Sequence, residues 1–213
     1  MDNSKSESGI NVDEHQRKSA VRLFNEYIYP HIIGDLKILD NIQPITHGNG
    51  CAVPTAMLIL SSLDLFGYLL KSDGKQDSTH ENIRFALEYE KYFPEEYNSI
   101  AIDKLILYRT GMMHSFYPRQ TSKDVYCLFK SDSKVLFEEI LLEGRQVISL
   151  NVNVLSDDFK TFVDNLYNEI KTTNNTAVLE NMYKGFKIRY PEISISLTTS
   201  AETTTPYGVM KNK

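Results

Sequence analysis

The hydrophobic pattern of this 213-residue chain predicts an α+β fold, with a four-helix bundle followed by a small antiparallel β-meander and one or two C-terminal helices. Two observations carry that expectation. As far as Pro118 the apolar residues recur every three to four positions, the period of a helix, in runs separated by Pro, Gly and Asn. Beyond Pro118 three short runs alternate at a period near two before a helical run returns. Composition agrees: 41% hydrophobic and 24% charged residues are near globular averages, enough for a core at this length without disulfide or metal staples.

The elements follow in order. Residues 1–11 are polar and read as a disordered leader. Residues 12–42 read as one long helix with Val21, Phe24, Ile28, Ile32, Leu36 and Leu39 on its apolar stripe, kinked at Pro30. Residues 43–50 hold Pro44, Gly48, Asn49 and Gly50 and form a loop. The apolar segment 51–70 approaches a membrane span in length, but Pro54, Thr55, Ser61, Ser62, Asp64 and Gly67 interrupt it. It reads as a buried core helix, so no membrane partner is expected. A third helix opens at Thr79 as N-cap, with Asn82 three residues on, and carries Ile83, Phe85, Ala86, Leu87, Tyr89 and Tyr92 up to Pro94. The fourth spans 99–116, with Ile102, Leu105, Ile106, Tyr108 and Met112 or Met113 inward, and Pro118 ends the bundle region 12–120.

Residues 125–129, 135–142 and 146–154 read as the three strands of the meander, with turns at Ser131-Asp132-Ser133 and Glu143-Gly144-Arg145. Ser156 is the expected cap of a helix whose apolar face is Phe159, Phe162, Val163, Leu166 and Ile170, and a last helix is expected over 177–184. Strands and covering helices together make a second region, 124–190. Residues 191–213, rich in Ser and Thr, read as a mobile tail.

Net charge is −5, the wrong sign for non-specific coating of nucleic acid. The charges are unevenly placed. Residues 1–100 hold 9 basic and 15 acidic side chains, residues 101–134 hold 6 and 3, and residues 135–213 hold 8 and 10. The middle stretch, with Lys104, Arg109, Arg119, Lys123, Lys130 and Lys134, is the cationic one. Two Cys and a start without an apolar run fit neither secretion nor a disulfide framework, so the expected location is cytoplasmic.

That cationic stretch contains Leu107-Tyr-Arg-Thr-Gly-Met-Met-His-Ser-Phe-Tyr-Pro, which sets Arg109 and His114 near the end of a largely apolar helix. Five residues apart they lie about 140° from each other around a regular helix, so they do not share a face and can meet only if Arg109 folds its long stem around or if the two flank a groove. The phrase resembles the signature of the HEPN family, an Arg followed after four to six residues by a His, often written Arg-Asn-Gly-Leu-Val-His. Here Arg109 is followed by Thr110 where Asn is usual, then Gly111-Met112-Met113 and His114. The resemblance covers residues 12–117. It implies metal-independent cleavage or binding of RNA as a homodimer in which two copies of the motif face each other, His114 moving the proton and Arg109 holding the phosphoryl oxygens. Asp64, Thr110 and Tyr117 are then supporting residues, Arg119 and Lys123 RNA-binding ones. HEPN domains often belong to toxin–antitoxin or phage-defence systems.

Other readings stay open. Arg109 can instead pair with Asp64, a mid-helix carboxylate too costly to bury alone, with His114 a favourable cation at a helix C-terminus. Thr110 in place of Asn favours this version, a non-catalytic assembly or regulatory protein that binds a protein partner through its C-terminal region. A third reading is a Cys51-dependent hydrolase. The run from Cys51 loosely resembles the Cys-Gly-x-x-Ala-x-x-Met helix start of bacteriocin-processing papain-like peptidases, with Ala52 in place of Gly and Gln43 eight rather than six residues upstream. No His-Glu-x-x-His, Cys-x-x-Cys, calcium-loop or Gly-rich phosphate spacing occurs, so neither a metal nor another cofactor is expected.

Overall fold

The computed structural model describes residues 8–42, 51–71, 78–115, 124–173 and 176–189. Its architecture is mixed and mostly helical, with one three-stranded sheet. The first rod is helical from Ser8 to Asn41, so part of the stretch expected as a leader is in helix. It comprises α1 (Ser8–Leu23), a π-helical stretch (Phe24–Ile33) and α2 (Gly34–Asn41), with helical dihedrals at both junctions. The break expected at Pro30 takes the form of that π stretch. A proline has no N–H to donate and its ring crowds the carbonyl four residues back, and a wider turn accommodates both. Phe24, Ile28, Ile33 and Leu36 face inward from the rod.

Helix α3 (Ala52–Lys71) is the centre of the molecule, touching α2, α4, α5, α6, α7 and β1. Among the described residues it is the one helix long and apolar enough to cross a membrane, and it is mostly buried by its neighbours. Helix α4 (Thr79–Glu88) lies closely against it. A Cβ placed on Gly67 would fall 1.9 Å from the carbonyl oxygen of Asn82, so only glycine permits this approach. The cap of α4 is Ser78 rather than Thr79. Its hydroxyl accepts the Glu81 N–H while the Glu81 carboxylate accepts the Ser78 N–H, a capping box that leaves Thr79 and Asn82 free to face α3. Helix α5 (Ser99–Ser115) completes this layer.

The sheet corrects the expected meander. Strands β1 (Asp124–Phe129), β2 (Phe137–Leu142) and β3 (Arg145–Asn151) lie in the order β1-β3-β2, with β1 parallel to β3 and only β2–β3 antiparallel. The reason is burial. β3 carries Ile148 and Leu150 into the core and takes the centre, whereas β2, with Glu138 and Glu139, is mostly exposed and takes an edge. The tight β2–β3 turn uses left-handed backbone at Glu143 and Gly144. The β1–β2 connection is held back by the Asn151 amide, which donates to the carbonyls of Ser131 and Ser133. Tyr108 of α5 fastens the sheet to the helices, its hydroxyl 2.9 Å from the Cys127 carbonyl oxygen and 2.5 Å from that of Ile148.

Helix α6 (Val152–Thr172) starts directly after β3, four residues before the expected cap, because Asn151 accepts the Asn153 N–H. Ser156 lies buried inside the helix and donates to Asp40. Helix α7 (Thr176–Arg189) extends past the expected 177–184. Both pack chiefly on α1 and α3 rather than over the sheet, and they share one hydrophobic core with the first helices. The remainder of the expected leader (residues 1–7) and the expected tail (191–213) lie outside the described residues.

Candidate functional site

A polar cluster forms where α3, α4 and α5 meet, and its foundation is the Gly67 contact. With the two helices in that register, Asn82 Nδ2 donates to Asp64 Oδ1 at 2.8 Å and the Thr79 hydroxyl donates to Oδ2 at 3.3 Å. Arg109 comes from α5, its nearer guanidinium nitrogen 3.9 Å from Asp64 Oδ2. Side-chain exposure is 13% for Asp64 and 21% for Arg109, so the pair sits at the edge of the core. Two atoms of the cluster are closed off from solvent without a hydrogen-bond partner among the described residues: a donor, Arg109 Nε, and an acceptor, Asn82 Oδ1.

Thr110 and His114 continue the site along α5. The Thr110 hydroxyl donates to the Ile106 carbonyl at 2.9 Å, and its oxygen lies 3.4 Å from Nε2 of His80, an exposed residue in the first turn of α4. His114 is exposed in the last turn of α5, four residues beyond Thr110 and on the same helix face. Among the described residues no hydrogen bond, ion pair or ring contact joins His114 to Arg109, whose guanidinium is turned toward α3. The structure therefore brings together Asp64, Arg109 and, next to them, Thr110, and sets His114 one turn further on. Tyr117, Arg119 and Lys123 lie outside the described residues.

No family model, curated protein or solved structure matches the chain.

His80 escaped sequence reasoning because it stands thirty positions before Thr110, and only the α3–α4–α5 packing brings the two together. The one available signal was its place in the first turn of a helix that packs on the Asp64 helix.

The cationic stretch is more neutralised than its composition suggests. Lys104 pairs with Glu139 and lies 5.3 Å from the Phe137 ring centre, Lys130 donates to the Leu39 carbonyl, and Arg109 faces Asp64. Lys134 is exposed. Cys51 and Cys127 are free and half-buried, and Cys51 occupies the turn before α3, where its carbonyl accepts the Thr55 N–H. Gln43, which stands eight rather than six residues before Cys51, lies outside the described residues. No three His, Cys, Asp or Glu side chains converge on a metal-sized space among the described residues.

Proposed function

We propose that the protein is a HEPN-like RNA-binding effector that acts as a dimer, with metal-independent endoribonuclease activity at Arg109 and His114, of the kind used in toxin or phage-defence systems. One observation supports it most: the Asp64–Arg109 cluster is open. A purely structural ion pair inside a helical layer is expected to be satisfied, because each orphaned buried polar atom costs about 1–3 kcal/mol. Here Arg109 Nε and Asn82 Oδ1 have no partner among the described residues and the ion pair is loose at 3.9 Å.

In the reaction, a 2′-hydroxyl loses its proton to a neutral imidazole as its oxygen bonds to the adjacent phosphorus. The bond from phosphorus to the 5′-oxygen breaks, and that oxygen takes a proton from an imidazolium. The products are a 2′,3′-cyclic phosphate and a 5′-hydroxyl. Arg109 holds the non-bridging oxygens as charge builds on them, with Asp64 fixing the guanidinium's orientation.

A second reading, the non-catalytic assembly or regulatory protein, is favoured by a different observation: Asp64 already faces Arg109, and the Thr110 hydroxyl is spent on its own helix. The two readings separate in one experiment. Purified protein is incubated with mixed RNA in EDTA beside His114→Ala and Arg109→Ala. The nuclease reading expects cleavage by wild type, at least 100-fold slower in both variants, with cyclic phosphate ends. Wild type that cuts no faster than either folded variant leaves the non-catalytic reading.

A further inference from the structure

We infer that His80 is the second proton-transfer group of this site, so that His80 and His114 of one chain serve a single phosphodiester bound across Thr110. The inference rests on the ribonuclease reading and names a residue that reading lacked. One imidazole cannot be neutral as the base and protonated as the acid in the same step, so a site with His114 alone has to borrow a second histidine from another copy. The packing of α4 on α3 makes the loan unnecessary.

The geometry is specific. His80 Nε2 lies 3.4 Å from Thr110 Oγ1, and His114 lies four residues beyond Thr110 on the same face of α5, about 6 Å along the helix axis. Both histidines are exposed, whereas the Arg109 guanidinium is set at the edge of the core. A general base and a general acid acting on one phosphodiester each stand about 3 Å from an oxygen attached to the same phosphorus, and the inference places one imidazole at Thr110 and the other on the residue a helical turn further along α5. Thr110 lies between them and next to Arg109 in sequence. Its hydroxyl proton is engaged by the Ile106 carbonyl, which leaves its oxygen to receive an N–H from His80.

The charged groups come from three elements: Arg84, one turn beyond His80 on α4, is paired with Asp103 of α5 and with Glu88. Asp64 of α3 and Arg109 of α5 face each other, and Glu81 of α4, next to His80, is engaged by the Ser78 cap. Neither Asp64 nor Glu81 makes an ion pair with His80 among the described residues.

One histidine takes the 2′-hydroxyl proton and the other supplies the proton to the 5′-oxygen; the first then releases its proton to water and the second regains one, which resets the pair with no net proton change. No oxidant, metal or second protein chain enters.

The test compares His80→Ala and His80→Gln with wild type and His114→Ala on single-stranded RNA in EDTA, with circular dichroism to establish that each is folded. His80→Gln retains a side-chain amide able to donate to Thr110, so a merely structural role for His80 leaves that variant active. The inference expects at least a 100-fold loss in both His80 variants, partial rescue of His80→Ala by added imidazole, and no recovery on mixing His80→Ala with His114→Ala. Full activity of His80→Gln with an active wild type overturns the inference and leaves the two-copy site standing. Recovery of activity in the mixture also overturns it. Absence of cleavage by wild type overturns the ribonuclease reading, and this inference with it.

Discussion

Carboxylates on the helices are handled in contrasting ways at two places in this molecule. On α6, Asp158, Asp164 and Glu169 are met by tyrosine hydroxyls: Tyr97 on Asp158 at 2.8 Å, Tyr29 on Asp164 at 2.8 Å, and Tyr89 and Tyr92 on Glu169 at 3.0 and 3.1 Å. These hydroxyls tie α6 to the first rod through Tyr29 and to residues 89–97 through the other three, and bring no second charge to α6. Burial, reinforced by the neighbouring carboxylate, pushes all four tyrosines up, Tyr92 to about 12, so they remain neutral donors. At the α3–α4–α5 junction Asp64 meets an amide, a hydroxyl and a distant guanidinium, with a donor and an acceptor left over. The first arrangement is closed and serves to hold helices together. The second is open, a property it shares with Asp40, whose Oδ1 lacks a partner among the described residues beside Ser156 and Lys160; what sets it apart is the Arg109 guanidinium next to Thr110 and His80.

The sharpest way to break the comparison is at Gly67, on which the open cluster is built. In Gly67→Ala the new methyl collides with backbone at Asn82, and no flexible side chain can yield. The expected loss is about 3 kcal/mol, read as a lower urea midpoint, because α4 has to move off α3 and carry Asn82, Thr79 and His80 with it. A variant as stable as wild type would show that α4 does not sit this close.

The next effect tests whether each network is closed. Glu169→Ala strands the Tyr89 and Tyr92 hydroxyls and is expected to lose about 2 kcal/mol of unfolding free energy. Asp64→Ala is expected to lose a similar amount, about 2 kcal/mol, since Arg109 retains some contact with water. The two should differ in rescue. Asp64→Leu combined with Arg109→Met removes both charges and should return to within about 1 kcal/mol of wild type while abolishing any RNA cleavage. If the double variant is no more stable than Asp64→Ala alone, the guanidinium is not what Asp64 chiefly neutralises.

Much of the fold was legible in the sequence for a simple reason. Helices α3 to α5 are bounded by Pro, Gly and Ser and repeat their apolar residues at the helical period, and local pattern is enough to place them. Pairing was harder. Nothing local in residues 124–129 tells β1 to lie parallel to β3, because that choice depends on which strand is most buried, a property of the whole assembly. The cap of α4 was misplaced by one residue because Ser78 and Thr79 are both good caps, and only the reciprocal bond from Glu81 decides between them. At the site, Arg109 opposite Asp64 could be anticipated, since a mid-helix carboxylate needs a partner and a cation on a later helix was available. The approach of His80 to Thr110 could not, because it follows from a glycine contact between two other helices.

The smallest expected effect belongs to the closed network. Burial chiefly, helped by the charge of Asp157, holds the Asp158 carboxyl above its ordinary 3.8, against the opposing pull of the Tyr97 hydroxyl and Lys134. The folded chain therefore binds more protons at this position than the unfolded chain does. Its contribution to stability is fully present below pH 3.8 and is lost as pH rises through the raised value. Asp158→Asn keeps an acceptor for the Tyr97 hydroxyl but carries no charge, so that dependence disappears. Glu96, also raised by burial and by the charge of Asp158, relaxes toward its ordinary value in the same variant and acts in the same direction. The urea midpoint of Asp158→Asn relative to wild type should accordingly climb as pH rises from 3.8 through the raised value and then level off, by less than about 1 kcal/mol in all because solvent screens this half-exposed group. A difference that is flat across that range would mean that the Tyr97 hydrogen bond, not burial, governs Asp158, and that the closed network is held by charge as much as the open one is.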